Sequence, residues 1–298
     1  MSKLQHDFLK RYISLQCRVR AVLVLATQAI ETARQRHGLN PIATLILGEL
    51  MLAALIKASA HKADERIQLR IETEGPLKAA IAEATATGEV RGYVANPQLS
   101  VTSTEKKDML REALRGGFLQ VKTLRPGYGQ SSFSSVEMKH LNVAQDFTYY
   151  FVQSEQIPTA IQLSVGFLDD FTVNSAMGIM FQALPGAKEE DLVLLESGLI
   201  DHPSFARSLQ EGLSPEELFR QITSTLPFEE ISQTPVCFLC HCSHRRFYEL
   251  LSLLPLKELT ELAQEGQTLV CHYCAAKYYY SRSEIEKIIE ERSGYTKN

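Results

Sequence analysis

The stretch that decides the organisation of this chain is Cys240-His-Cys242, followed after 28 intervening residues by Cys271-His-Tyr-Cys274. Two short cysteine pairs at such a separation form a tetrahedral cage of four sulfurs when the fold brings them together, and zinc is the usual metal in that cage. The first pair is unusual because only His241 separates its two cysteines. The rest of the sequence indicates what kind of protein carries this CxC…CxxC site near its C-terminus.

The cysteine distribution and the apolar segments narrow the class of protein. Five of the six cysteines fall between Cys237 and Cys274, which is typical of metal ligands in a reducing compartment rather than of a secreted disulfide scaffold. The apolar run at 21–26 follows a lead-in that is too long and too polar for a signal peptide, so we interpret it as a buried strand. Residues 41–60 contain charged side chains and predict a core helix rather than a membrane span. We therefore expect a cytoplasmic protein without a membrane partner.

Chain length and net charge limit the kinds of partner and activity that we expect. The chain has 298 residues, of which 45% are hydrophobic and 22% charged, enough for a buried core and a small additional module. The formal net charge is −4, which does not indicate a general attraction to nucleic acid. The sequence shows no nucleophile, histidine and acid at a supporting spacing, so we do not expect an enzyme.

Residues 1–185 predict an N-terminal α+β core domain. Asn40-Pro41 is a helix start, with Asn as the cap and Pro at the first helical position, and the helix that follows to about residue 61 is expected to be central to the core. Pro126-Gly127-Tyr-Gly129 predicts a hairpin turn. Alternating or apolar patterns predict extended segments over residues 17–25, 67–71, 77–81, 90–94, 119–123, 133–138, 160–167 and 178–182, and a helix over residues 143–153.

Residues 186–236 are predicted to form an acidic helical linker. They hold ten acidic and three basic residues, a net charge of −7. Ser214-Pro-Glu-Glu217 is a capping box with Pro at the first helical position. Because short acidic helices are marginal by themselves, the segment is either a solvated linker or one that folds conditionally against a neighbour.

Residues 237–298 are predicted to form a small C-terminal module. Helices are expected after Cys242 and after Pro255, strands over 269–271 and 277–280 flank the CxxC pair, and Ser281 caps a final helix. A module of about 60 residues has a thin core, and small domains commonly need a metal to remain folded. Loss of the metal should therefore unfold this module.

Spacing alone leaves three assignments of the zinc ligands open. Cys237-Phe-Leu-Cys240 is itself a CxxC pair, so an ordinary zinc ribbon would combine it with Cys271 and Cys274, and spacing slightly favours this set. The second set replaces Cys237 by Cys242. The third replaces one sulfur by a nearby histidine: His241, His244 or His272. In each case the simplest role of the zinc is to hold the module together.

A functional interpretation of the same cysteines rests on thiolate chemistry. Zinc would hold the sulfurs deprotonated and close together, and oxidation that removes the metal can form disulfides within each short pair. Arg245, Arg246 and the nearby histidines would favour the thiolate form. A disulfide across CxC closes a strained ring, so it should be labile and reversible.

Several motifs together point to one family. In the C-terminal module they are Cys240-His-Cys242-Ser243 with Arg246, and Cys271-His-Tyr-Cys274 with Tyr278. In the remainder of the chain they are Leu47-Gly-Glu49, Gly75-Pro76-Leu77, Arg91-Gly92, Ser154-Glu-Gln-Ile-Pro158 and Leu184-Pro-Gly-Ala187. Over nearly its whole length the sequence resembles the heat-shock protein 33 family, the redox-regulated holdase chaperones of the bacterial cytosol.

The resemblance implies a ligand set and a switch. One zinc is held by Cys240, Cys242, Cys271 and Cys274 in the reduced state, which is inactive as a chaperone. Oxidants drive zinc release and the pairing of Cys240 with Cys242 and of Cys271 with Cys274. The module and linker then unfold, and the exposed surfaces bind unfolding client proteins without ATP. Family members also form homodimers on activation.

The sequence departs from the family pattern at two positions, and it leaves two alternative functions to weigh. The family usually has Glu at the position of Arg245, and Cys237 is an additional cysteine that could compete for zinc or pair with Cys240. A zinc-ribbon adaptor that binds nucleic acid or protein is the main alternative, but residues 237–298 carry eight basic and eight acidic residues and so predict no basic face. A thiol oxidoreductase would need a thioredoxin-like βαβ unit around the CxxC pair, which the sequence does not predict.

Overall fold

The chain divides into two compact units, Met1–Leu239 and Cys240–Asn298. The computed structural model describes residues 6–125, 132–224 and 226–295, so the turn predicted at Pro126 lies outside the described residues. The second unit begins three residues after the start expected for the module.

Sheet A of the first unit has five antiparallel strands and, except at its polar edge strand, is buried on both faces. In spatial order these are β10 (Glu229–Pro235), β1 (Phe8–Ser14), β2 (Val19–Leu25), β9 (Val173–Ala183) and β8 (Thr159–Phe167). Side chains alternate between the faces of a strand, so Leu9 and Val22 lie in one hydrophobic cluster whereas Phe8, Tyr12 and Leu23 lie in another. We call the side of Phe8 and Tyr12 the outer face of sheet A.

Sheet B of the first unit has six strands and one buried face. In spatial order these are β11 (Cys237–Phe238), β5 (Glu89–Val94), β4 (Ala79–Thr85), β3 (Arg66–Thr73), β6 (Gly117–Leu124) and β7 (Ser132–Glu137). β11 is parallel to β5, and the other neighbours are antiparallel. Ile67, Leu69 and Ile71 are fully buried, while the residues that alternate with them are partly exposed.

Helix α2 (Pro41–Ala58) contacts both sheets and forms the centre of the core. Asn40 caps it by accepting a hydrogen bond from the Ala43 N–H at 3.0 Å. A helix that is apolar on every side must be buried. By length and composition α2 could cross a membrane, but 83% of its 18-residue window is buried inside the protein, as expected for a core helix. The helix predicted from Asn40-Pro41 is confirmed.

Three other helices of the first unit support the sheets: α1 (Thr27–His37), α3 (Lys106–Leu114) and α4 (Val143–Tyr150), the last continuing into a π-helical turn, Phe151–Glu155. The strand expected from Cys17 begins at Val19, because Cys17 lies buried in the turn between β1 and β2. The extended segment expected at 77–81 is β4, which begins at Ala79.

Helices α5 (Glu189–Asp201), α6 (Phe205–Gln210) and α7 (Pro215–Thr223) pack on the outer face of sheet A. The predicted capping box begins α7: Ser214 Oγ accepts a hydrogen bond from the Glu217 N–H at 3.2 Å, and the Glu217 carboxylate accepts one from the Ser214 N–H at 2.8 Å. Phe219 stacks on Tyr12 with ring centroids 4.4 Å apart. The acidic segment therefore folds against a neighbour, and it also contains β10, which the sequence analysis did not anticipate.

The second unit contains three helices and one hairpin among its described residues. They are α8 (His244–Leu251), α9 (Leu256–Leu262), β12 (Gln267–Val270), β13 (Lys277–Tyr280) and α10 (Arg282–Tyr295). β12 and β13 are antiparallel. The buried apolar cluster has six members: Leu251, Leu259, Ala263, Tyr280, Ile285 and Ile288.

Candidate metal centre

Four cysteine sulfurs of the second unit lie within 4.8 Å of one another: Cys240, Cys242, Cys271 and Cys274. Two of the Sγ–Sγ distances are 3.7 Å, for Cys240 and Cys271, and 3.2 Å, for Cys242 and Cys274. Sulfurs that bind zinc tetrahedrally at about 2.3 Å stand about 3.8 Å apart, whereas a disulfide needs about 2.05 Å. All four are free cysteines, and the cluster could hold a metal ion.

The turn between β12 and β13 presents the second cysteine pair. The Cys271 N–H donates to the Ala276 carbonyl at 2.9 Å, and the Ala275 N–H donates to the Cys271 carbonyl at 2.8 Å. Ala275 has a φ of 56°, a conformation that lets the backbone fold back over the pair. The backbone N–H groups of Tyr273 and Cys274 donate to the Cys271 sulfur. The turn is therefore shaped around its sulfurs.

The first cysteine pair lies at the N-terminus of α8. Ser243 caps this helix by accepting a hydrogen bond from the Arg246 N–H at 3.2 Å. The preceding residue, Cys242, is thus near the positive end of the helix dipole, which favours a thiolate. The Tyr278 hydroxyl lies 3.2 Å from the Cys242 sulfur and can donate to it.

Protonation differs among these thiols. Burial raises the pKa of the Cys271 and Cys274 thiols, which disfavours their thiolate forms. Burial also opposes ionisation of Cys242, but hydrogen bonds from the Tyr278 hydroxyl and the neighbouring thiols outweigh it and lower the pKa of Cys242. A bound divalent cation would reverse this balance, since a coordinating thiol loses its proton outright. The donor set and its burial therefore suit a cation.

The other candidates from the sequence lie elsewhere. Cys237 is exposed in β11 of the first unit. His244 stacks on Tyr280 with ring centroids 4.2 Å apart, and over residues 6–125, 132–224 and 226–295 no histidine belongs to the sulfur group. Arg245 forms an ion pair with Glu249 at 3.0 Å on the surface of α8. The structure gathers the CxC and CxxC sulfurs and leaves the additional cysteine outside the group.

The sequence places Tyr278 in the strand over 277–280 and among the motifs of the family resemblance, but it does not predict that the Tyr278 hydroxyl reaches the Cys242 sulfur. The signal was available, because Cys274 and Tyr278 are four residues apart across a hairpin turn. The strand over 277–280 was predicted, but the strand and this spacing do not by themselves show whether the Tyr278 hydroxyl faces the sulfurs.

Comparison with known proteins decides the family. A family model described as Hsp33 protein matches residues 7–281. The chain belongs to the Hsp33 family. A relative from Desulforamulus reducens, named 33 kDa chaperonin, is 34% identical over 287 residues, covering 95% of this chain and 97% of the relative. Another of that name from Bacillus subtilis is 34% identical over 290 residues, covering 96% and 99%.

A solved structure supports the same assignment. The 33 kDa chaperonin of Thermotoga maritima, described as a heat shock protein 33 homolog, matches with a TM-score of 0.89 at 27% identity, covering 97% of this chain and 100% of that one. The Hsp33 resemblance and the α+β class with a C-terminal cysteine site are confirmed. As a member of the Hsp33 family the chain is a chaperone, and the names of its relatives describe a non-enzymatic role.

Proposed function

We propose that this chain is a redox-regulated, ATP-independent holdase chaperone of the cytoplasm. The observation that carries the proposal is the four-sulfur cluster of the second unit. It follows in sequence a segment whose helices cover an apolar sheet face. The domains would be a core of residues 1–185, a linker of residues 186–236 and a redox-switch module of residues 237–298.

In the reduced state, Cys240, Cys242, Cys271 and Cys274 would hold one zinc ion. When bound, zinc supplies a cross-link among four thiolates. The protein contributes the β12–β13 turn and the N-terminus of α8, which hold the two pairs close together. Six buried apolar side chains make a thin core, so the module relies on this link to stay folded.

In the oxidised state, Cys240 would pair with Cys242 and Cys271 with Cys274, as the family resemblance implies. Two disulfides form from the four cysteine thiolates with loss of four electrons. Two molecules of hydrogen peroxide accept these electrons together with four protons from solvent and become four molecules of water. No thiolate then remains to bind a cation, and the module unfolds.

Unfolding of the adjoining linker would expose the chaperone surface. Helices α5–α7 leave the outer face of sheet A, where Phe8, Tyr12, Leu23, Ile179 and Phe181 are now buried. This face would bind apolar segments of unfolding clients. Two activated chains would associate as a homodimer, because a newly exposed apolar face also favours self-association.

The proposal is tested by zinc content, thiol count and aggregation of a thermally unfolding client, before and after peroxide treatment at raised temperature. We expect one zinc released, four thiols lost and aggregation suppressed only after oxidation. A Cys237→Ser variant should behave the same. Equal suppression by the reduced and oxidised chains would contradict the switch.

A further inference from the structure

Strand β10 covers the edge of sheet A without adding to its core. None of its residues, Glu229–Pro235, belongs to either hydrophobic cluster of the first unit. Its one large apolar residue, Ile231, is 61% exposed and lies at a bulge in the β1 pairing. The strand therefore stays on β1 through its backbone and through polar side chains.

Polar contacts connect β10 to α7 through one cation. The Lys10 ammonium lies 3.1 Å from a carboxylate oxygen of Glu230 in β10 and 3.1 Å from one of Glu216 in α7. On the opposite side of β1, the Arg11 guanidinium donates to the Thr234 hydroxyl at 3.0 Å. One ammonium on β1 therefore bridges carboxylates of α7 and β10, so the two segments are attached at the same point of the strand.

The backbone groups that β10 occupies can be identified. The Val236 N–H donates to the Asp7 carbonyl at 3.0 Å, next to the Phe8–Pro235 pair. In an antiparallel sheet, alternate residues direct both backbone groups to the same neighbour. Leu9, Arg11 and Ile13 therefore direct theirs to β10, whereas Phe8, Lys10 and Tyr12 direct theirs to β2.

We propose that the edge of β1 is a strand-addition site that β10 fills in the reduced chain, and that an extended client segment fills it, antiparallel to β1, after oxidation. The inference rests on the proposed function, in which oxidation unfolds the linker and so detaches it from sheet A. An unpaired edge beside an apolar face is a template for such pairing. The site would select segments that alternate apolar and polar residues.

The sequence of β10 explains why a client can replace it. β10 places Pro235 opposite Phe8 and Glu230 opposite Tyr12, on the outer face of the sheet. A client strand with apolar residues at these positions would bury area against Phe8 and Tyr12 that β10 does not. In the reduced chain β10 keeps its place through its backbone pairing with β1 and through Lys10, which it shares with α7.

Matched peptides test the pairing. The probe is a labelled peptide of alternating valine and serine. Its binding to the full-length oxidised chain is measured by fluorescence anisotropy. With valines on the outer face, the serine N–H groups face β1 and the valine N–H groups face away. N-methylation of the serines should weaken binding about tenfold or more, and N-methylation of the same number of valines should leave it nearly unchanged. Equal effects of the two methylation patterns would overturn the inference.

Amide exchange of the same chain gives a second measurement. In the oxidised chain the amides of Leu9, Arg11 and Ile13 should exchange rapidly and become protected when the unmethylated peptide binds, while those of Phe8, Lys10 and Tyr12 stay protected throughout. Protection of Leu9, Arg11 and Ile13 without peptide would overturn the inference. Protection that does not depend on protein concentration would mean that β10 still occupies the edge. Protection that rises with protein concentration would mean that a second copy of the chain occupies it. Failure of the oxidised chain to suppress aggregation would instead overturn the proposed function.

Discussion

The first unit encloses an 18-residue apolar helix between two sheets, whereas the second unit holds six buried apolar side chains beside four sulfurs. Hydrophobic stabilisation grows with buried apolar area, so the first unit can remain folded by itself. The second cannot gain much from burial and, under the proposed function, depends on a metal bound by its sulfurs. The comparison indicates that a redox event in the second unit can change its fold without unfolding the first.

The linker helices lie between these extremes. Their residues belong to the first unit, yet they cover only the outer face of sheet A and leave the central core around α2 complete. Phe219 is in aromatic contact with Tyr12, Phe181 and Phe228. The linker is therefore anchored by these aromatic contacts together with buried aliphatic side chains, namely Leu195, Leu199, Leu218 and Ile222. Variants that weaken this packing separate the stability of the linker from that of the core.

The largest expected effect is loss of a metal ligand. Cys271→Ser should unfold the second unit in the reduced chain, because metal binding contributes on the order of ~10 kcal/mol to such small modules. Amide exchange should show unprotected amides after Cys240 and unchanged protection in α2. Cys237→Ser is the matched control and should keep its zinc and its protection. A second unit that stays folded in Cys271→Ser would show that the six buried side chains are enough to keep it folded without this ligand.

The next effect concerns the linker. Phe219→Ala removes the aromatic anchor of α7 and should destabilise its packing by about 3–5 kcal/mol. We expect aggregation suppression by the reduced chain, without oxidant and with zinc retained. Phe133→Ala, at a residue 61% exposed on β7, serves as the control. A Phe219→Ala chain that stays inactive until oxidised would contradict the role of this contact.

A pH effect is expected from a buried carboxyl group of the first unit. Burial raises the pKa of Glu49 on α2 from 4.5 to about 7, with Lys106 opposing the shift. The folded chain then binds this proton more tightly than the unfolded chain, so the free energy of unfolding falls as pH rises between those values. Glu49→Gln should remove a fall of about 3 kcal/mol. Urea unfolding at about pH 4.5 and 7.5 measures this fall, with Glu137→Gln as an exposed control. An unchanged dependence of the unfolding free energy on pH in Glu49→Gln would contradict the assignment.

The smallest effect concerns the capping box. Ser214→Ala removes the side chain that accepts from the Glu217 N–H and should cost about 1 kcal/mol of α7 stability. Oxidative activation should then occur at lower peroxide dose, with the thermal unfolding of the core unchanged. Ser135→Ala, exposed on β7, is the control. An identical dose response in the two variants would indicate that α7 does not limit activation.

Local patterns predicted much of this fold. Asn40-Pro41 predicted the start of α2, the alternation at 67–71 predicted β3, and Ser214 to Glu217 predicted the start of α7. Each depends on contacts within one element, which its own residues determine. The CxC and CxxC spacing similarly indicated a sulfur cluster.

Pairings between distant segments were not predictable. β10 is polar and mostly exposed, so no apolar alternation marks it, and it is a strand only because β1 offers an edge. Cys237 forms a CxxC pair with Cys240, yet two residues of β11 pair with β5 and place it in the first unit. Spacing does not show on which side of a unit boundary a residue falls.

The most direct test of the proposed switch is amide exchange of the full-length chain in its zinc-bound reduced form and its two-disulfide form. We expect oxidation to remove protection from residues 240–295 and from α5–α7, while α2 and strands β2 and β9 keep theirs. Aggregation suppression should appear in the same samples. Retained protection of α5–α7 in an oxidised chain that suppresses aggregation would contradict the claim that the linker uncovers the chaperone surface.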